Sequence, residues 1–173
     1  MNRLYEFDLS LCIRFNRISA YRSVEWLFRL ISRLGDGVFW YSLMLTLPLV
    51  YGKPGWVATA HMLSAALPSL LIYRYLKRKT SRQRPCAVNP RIRQSTAPLD
   101  QFSFPSGHTL HAVCFTTVVY GHFPGTIWLL APFSLLVALS RPILGLHYPS
   151  DVLAGAVIGL LVASLSRLVI PFS

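Results

Sequence analysis

Apolar residues gather in long runs along this chain, separated by short polar interruptions. Four runs stand out: residues 38–51, 56–76, 108–123 together with 126–139, and 152–170. The third divides at HFPG, residues 122–125, where Pro and Gly break a helical pattern, which makes five. A helix crosses a bilayer's hydrocarbon with about 20 apolar residues. Several of the runs are shorter, so their ends must draw on flanking residues or sit in a thin, protein-lined region. The pattern predicts an all-α fold, a polytopic membrane helix bundle of about five spans. Ahead of the spans, residues 4–34 mix apolar side chains with Arg14, Arg17, Arg22, Arg29 and Arg33 at near-helical spacing. That predicts amphipathic helices lying in the membrane interface. A solvated basic arm is the competing reading.

Finer features fit the same outline. Trp26, Trp40, Trp56 and Trp128 fall near predicted span ends, where indole rings anchor at headgroup level. Gly155, Gly159 and Ala163 repeat every four residues in the last span and form a stripe for close helix packing. The one long polar segment, residues 77–105, is too long for a mere connector. The chain therefore reads as a single membrane domain, residues 1–173, with interfacial helices in 1–35 and a catalytic helical core in 36–173. Five spans place the N-terminus, the 77–105 loop and the connection SRPILGLHYPSD (residues 140–151) on one face. Lys53, the HFPG turn and the C-terminus fall on the other.

Composition strengthens the membrane reading: 53% of the 173 residues are hydrophobic, too many for an ordinary soluble domain. The formal charge of +11, from 17 Lys and Arg against 6 acids, suits anionic lipid headgroups, nucleic acid or phosphorylated substrates. No nucleic-acid recognition motif accompanies the charge, which flanks the spans, so a nucleic-acid partner is not expected and the bilayer is. Cys12, Cys86 and Cys114 are too few and scattered for a disulfide framework or a metal site, and read as free thiols. No signal peptide precedes the first span, so the N-terminus is expected to be retained.

Three polar clusters share the predicted motif face. In KRKTSRQRP, Lys77 and Arg84 flank six residues with Pro85 following; FPSGH opens a span at His108; the 140–151 connection carries Arg141, His147 and Asp151. If they converge, Lys77, Arg84 and Arg141 supply fixed cations whose forks match phosphate oxygens. Ser106 adds a hydroxyl, Gly107 lets backbone approach closely, and a helix start at His108 offers free amides to an anion. One imidazole can attack phosphorus while the other protonates the departing oxygen. Asp151, four residues after His147, can accept a hydrogen bond from its far ring nitrogen and fix the tautomer. Neither a metal nor another cofactor need be invoked.

Written as K-x6-R-P (residues 77–85), PSGH (105–108) and S-R-x5-H-x3-D (140–151), the clusters resemble the signature of the type 2 phosphatidic acid phosphatase superfamily, which includes bacterial acid phosphatases and vanadium haloperoxidases. The resemblance is complete at every signature position and runs from about Trp40 to Ile170. It implies that His147 is the nucleophile forming a phosphohistidine, Asp151 its partner, and His108 first the acid for the leaving group and then the base for water. Lys77, Arg84, Ser106, Gly107 and Arg141 would bind the phosphoryl group. The implied activity is hydrolysis of a phosphate monoester or diphosphate on a membrane lipid, in the bacterial cytoplasmic membrane, and small undecaprenyl diphosphate phosphatases look similar. Transfer to an acceptor lipid, or lipid binding without catalysis, are the alternatives.

Other polar residues have plainer readings. Arg78 and Lys79 suit topology anchors, and Ser150 with Asp151 suits a helix cap. His111 shares a helix face with His108 and reads as a packed histidine; His61 inside a span faces the bundle or a cavity. Arg91, Arg93 and Asp100 either shape a substrate mouth or are solvated loop charges. Fifteen of the 17 Lys and Arg lie on the motif face, which the positive-inside rule makes cytoplasmic, whereas the resemblance implies the outer face.

Overall fold

The computed structural model describes residues 3–170, so the outermost positions of the predicted ranges lie outside the described residues. The regular structure among them is helical throughout. Two helices come first, α1 (Arg3–Arg17) and α2 (Arg22–Arg33), joined by a 3-10 turn at Ile18–Ala20. In α1, Glu6 in the first turn and Arg14 and Arg17 in the last complement the helix dipole. Its apolar Leu4 and Phe7 are exposed, while its buried stripe is polar: Asp8, Cys12 and Asn16, at four-residue spacing. That inversion suits a helix with lipid on one side and backbone to bind on the other.

A π-helical turn at Leu34–Val38 carries α2 into α3 (Phe39–Tyr51). Gly37, at φ 145°, makes the bend between them. The interfacial helix and the first predicted span are thus one bent helical path. Next come α4 (Lys53–Thr80), the single turn α5 (Pro85–Val88), α6 (Gly107–His122), a 3-10 turn at Pro124–Thr126, α7 (Ile127–Ile143) and α8 (Pro149–Ser166). Five of these helices occupy the five predicted runs. By length and composition, Lys53–Val88, Pro124–Ile143 and Pro149–Ser166 are long and apolar enough to cross a membrane. At 13 and 16 residues, α3 and α6 are shorter. The shortness of α6 follows from its place: it packs against α4, α7 and above all α8, and protein shields its ends.

Several boundaries move. Lys77 is not in a loop: α4 runs on through the helix-favouring Lys and Arg side chains and stops where Ser81 turns left-handed at φ 46°. Arg141 likewise sits in the last turn of α7 rather than in the connection. The last helix ends at Ser166, short of 170. Trp40 is not an interfacial anchor but a core residue, 2% exposed, against Phe39, Phe115 and Phe133. Trp26, Trp56 and Trp128 are exposed, as headgroup anchors are.

Candidate active site

Each of the three clusters reaches the same end of the bundle by its own local logic. Arg84 is extended because Pro85 follows it, so its side chain leaves the chain just where a new turn begins. Ser106 stands at the N-cap position of α6, without a side-chain cap bond, and places His108 in the first turn. Gly145, at φ 77°, reverses the chain after α7, and Asp151 opens α8 with its Oδ2 accepting the Tyr148 amide at 2.9 Å.

His147 is buried at the centre. Arg84 Nη1 donates to the Leu146 carbonyl at 2.7 Å and lies 3.2 Å from His147 Nε2. A guanidinium can only donate, so Nε2 presents its lone pair to the cations and the ring proton belongs on Nδ1. Burial, together with the charges of Arg141, Arg84 and Lys77, holds the His147 imidazole well below its ordinary range. Its Nδ1 stands 3.7 Å from Asp151 Oδ2, beyond hydrogen-bond length, and has no other hydrogen-bond partner among the described residues. The bond expected between them is therefore not closed here. Asp151 is held by the Tyr148 amide on one oxygen and by Arg82 Nη1, at 2.6 Å, on the other.

The cations are likewise engaged. Asp100 Oδ1 accepts from Lys77 at 2.6 Å and from Arg84 at 2.8 Å, and Oδ2 accepts from Tyr73 at 3.0 Å. Against burial, which pushes it up, these bonds hold the Asp100 carboxyl below the usual carboxylate range. Arg141 is 2% exposed and donates to Ser32 Oγ. His108 Nε2 contacts Asp36 Oδ1 from the π-helical turn. Ser106 turns its hydroxyl to Thr109, 3.0 Å away, while its amide donates to the Asp151 carbonyl at 3.0 Å and ties α6 to α8.

A cavity of about 550 Å³ collects Arg84, Gly107, His108, Arg141 and His147 at one end. From there it runs between α3, α4 and α6 along Trp40, Met44, Leu63, Leu67 and Phe115. Lys77, Ser106 and Asp151 stand just behind this lining. A second cavity, about 620 Å³, meets the first at Asp36, Leu99, His108 and Arg141 and is lined on its far side by Arg22, Arg29 and Arg33. His111 Nδ1 donates to the Gly107 carbonyl, 2.9 Å away, and the residue lines the first cavity. His61 lies elsewhere, 3.0 Å from His122 and 2.8 Å from Ser166. No group of three or more His, Cys, Asp or Glu among the described residues could hold a metal ion.

The motifs did not point to Asp8, Arg82 or Asp36. Arg82 stacks on Tyr148 with its guanidinium 4.0 Å from the ring centre and bridges Asp151 to Asp8 of α1, which it reaches at 2.8 Å. Asp8 also accepts the Ser150 amide at 3.0 Å, and Asn16 binds the Ile143 and Arg93 carbonyls, both at 2.9 Å. Helix α1 is thereby latched onto both loops that carry the motifs. The signal was present: Asp8, Cys12 and Asn16 at i, i+4, i+8 on one face of an amphipathic helix, and a carboxylate between two glycines at 35–37.

Known proteins resemble this chain in part of its sequence and in its fold. The family model described as "PAP2 superfamily" matches residues 55–173. Phosphatidylglycerophosphatase B of Bacillus subtilis is 38% identical over 85 residues, 41% of this chain and 42% of that protein. An undecaprenyl-diphosphatase of Sulfolobus acidocaldarius is 35% identical over 80 residues, 46% and 38% of the two chains. The chain spans less than half the length of the curated relatives it matches. The crystal structure of Aquifex aeolicus LpxE superposes with a TM-score of 0.81 at 24% identity, covering 92% of this chain and 94% of that one. For the transmembrane PAP2 type phosphatidylglycerolphosphate phosphatase from Bacillus subtilis the TM-score is 0.76 at 24% identity, over 98% and 87%. The matched region contains all three motif clusters, and the chain belongs to the PAP2 superfamily.

Proposed function

We propose that this chain is a multi-pass enzyme of the bacterial cytoplasmic membrane that hydrolyses a lipid phosphate monoester or diphosphate through a phosphohistidine. One observation carries the reading: a single cavity joins two histidines and two arginines at one end to an apolar trough at the other, the shape of a phosphate on a hydrocarbon tail. The whole of 1–173 acts as one membrane domain, with α1 and α2 at the interface.

The lone pair of His147 Nε2 attacks phosphorus as the bond to the leaving oxygen breaks, its electron pair passing to that oxygen and His108 supplying the proton. Arg84, Arg141 and the Gly107 amide region face the charge on the phosphoryl oxygens. Lys77 and Ser106 act from behind, through Asp100 and through the start of α6. In the second step His108 takes a proton from water, oxygen bonds to phosphorus, and the pair of the breaking P–N bond returns to His147. Asp151 receives the Nδ1 proton's hydrogen bond once His147 carries charge. The deciding experiment is a panel of lipid phosphates presented to the purified protein with phosphate release measured. Label appearing on an added acceptor lipid instead of water would indicate transfer.

The direction of the His147 shift fixes one side of the pH profile. A lowered pKa means that the neutral, nucleophilic form persists to more acid pH than in free imidazole, near 6.5. The acid limb of kcat/KM is expected on the acid side of the ordinary imidazole value of 6.5, and a limb at or above 6.5 would contradict the assignment. Arg82→Gln leaves Asp151 with one partner fewer and is expected to lower kcat about tenfold or more, the scale of one charge-assisted hydrogen bond, with KM little changed. An equal rise in KM would place Arg82 in substrate binding instead. Single cysteines at Lys53 and Gln94, in a background lacking Cys12, Cys86 and Cys114, report which face the site occupies when an impermeant thiol reagent is applied.

A further inference from the structure

Building on the phosphatase reading, we infer that Asp36 sets leaving-group specificity, favouring substrates whose departing group is a neutral alcohol over those whose departing group is itself a phosphate. The substrate class is then a lipid phosphate monoester rather than a lipid diphosphate.

The argument starts from the backbone. Helices α2 and α3 meet in a π-helical turn with Gly37 at φ 145°, and the one charged residue of that turn, Asp36, is delivered onto His108. The contact is to Nε2, which is taken as the nitrogen that serves the leaving oxygen. An oxygen that takes the Nε2 proton has to come to the place of the Asp36 carboxylate or directly beside it. Whatever that oxygen carries is then packed against Asp36.

Two leaving groups differ sharply there. From a monoester, the oxygen departs as an alcohol: the P–O pair stays on oxygen and the His108 proton neutralises it. From a diphosphate, the P–O pair leaves on a lipid monophosphate, which needs little help from an acid and carries negative charge against the carboxylate. The cations do not rescue it. Lys77 and Arg84 share Asp100, and Arg84 and Arg141 face the phosphoryl group being transferred. Arg22, Arg29 and Arg33 lie in the adjoining cavity beyond Asp36. A leaving phosphate whose tail lies along Trp40, Met44 and Leu63 is held in the first cavity, which Asp36 lines and those three arginines do not. Asp36 also accepts the Nε2 proton and so orients the ring for an alcohol that depends on it.

The test uses a prenyl monophosphate and the diphosphate of the same prenol, with the purified full chain in neutral detergent and kcat/KM measured for each. Wild type is expected to prefer the monophosphate by about tenfold or more, the scale of one like-charge contact at a part-buried site. Asp36→Asn should collapse that ratio at least tenfold, slowing the monophosphate and sparing or speeding the diphosphate; Asp36→Glu should retain the preference. A wild type that cleaves the diphosphate equally well, or an Asp36→Asn variant that loses both activities in parallel, overturns the inference while leaving the phosphatase reading intact. Failure of wild type to cleave either substrate overturns both.

Discussion

Replacing His147 with Ala is expected to abolish turnover of a short-chain lipid phosphate, by a factor of about 10³ or more. The side chain is buried, the charges of Arg141, Arg84 and Lys77 act on it, and its Nε2 lies 3.2 Å from Arg84, the position from which a lone pair meets a phosphoryl group held by those cations. Water attacking directly would still find the cations in place, which sets the residual rate rather than zero. The variant must also fail to incorporate acid-labile, alkali-stable phosphate when mixed with labelled substrate and quenched. Wild type should show that label, and His108→Ala should retain it with slow turnover if the leaving group is good, because His108 acts on the oxygens and not on phosphorus. Undiminished phosphate release by His147→Ala would remove the phosphohistidine route. Asp151→Asn is a gentler probe of the same axis: its carboxylate is 3.7 Å from Nδ1 and becomes a hydrogen-bond partner only after a small approach.

Gly159→Leu is expected to be strongly damaging although residue 159 lies outside the cavity. A Cβ at residue 159 would lie 2.3 Å from the Leu110 carbonyl oxygen, and one at 155 would lie 2.5 Å from the Ser106 carbonyl oxygen. Backbone cannot step aside as a flexible side chain can, so α6 and α8 must separate. Overpacking of this kind costs about 1–3 kcal/mol, and more where backbone is the obstacle. The functional cost exceeds the loss of stability, because α6 carries Ser106 and His108 while α8 carries Asp151, and the Ser106 amide binds the Asp151 carbonyl at 3.0 Å. Gly159→Leu should therefore lower thermal stability and leave almost no activity, and Gly155→Ala should lose activity before it loses the fold. Leu160→Ala, on the exposed side of the same helix, is the control and should alter neither much. Full activity in Gly159→Leu would show that the two helices do not need this approach.

Much of this was legible beforehand for definite reasons. Helices in lipid announce themselves through length and apolarity, so the five runs became five helices, and the Gly155, Gly159 stripe could be assigned to close packing before its partner was known. The convergence of Arg84, Gly107, His108, Arg141 and His147 followed from motif order and sidedness. The helical setting of Lys77 was missed because Arg, Lys, Thr and Ser after an apolar run look like a loop, although Lys and Arg favour helix. Trp40 was misplaced because an indole near a span end packs equally well in a core. The residues that answer the motifs, Asp8, Asp36 and Asp100, were invisible as partners because each is separated from the group it binds by tens of positions in the chain.

The sequence by itself determined the helical membrane architecture, the end of the bundle at which the three motifs gather, and the side chains proposed to act there. Those depend on local periodicity, hydropathy and residue type, which a linear chain states directly. Only the tertiary structure decided how each charge is answered: Arg82 drawn between Asp151 and Asp8, Lys77 and Arg84 sharing Asp100, Asp36 set against His108. Such pairings are choices among several carboxylates and several cations of equal chemical fitness. What selects one is the distance left between helices after they pack.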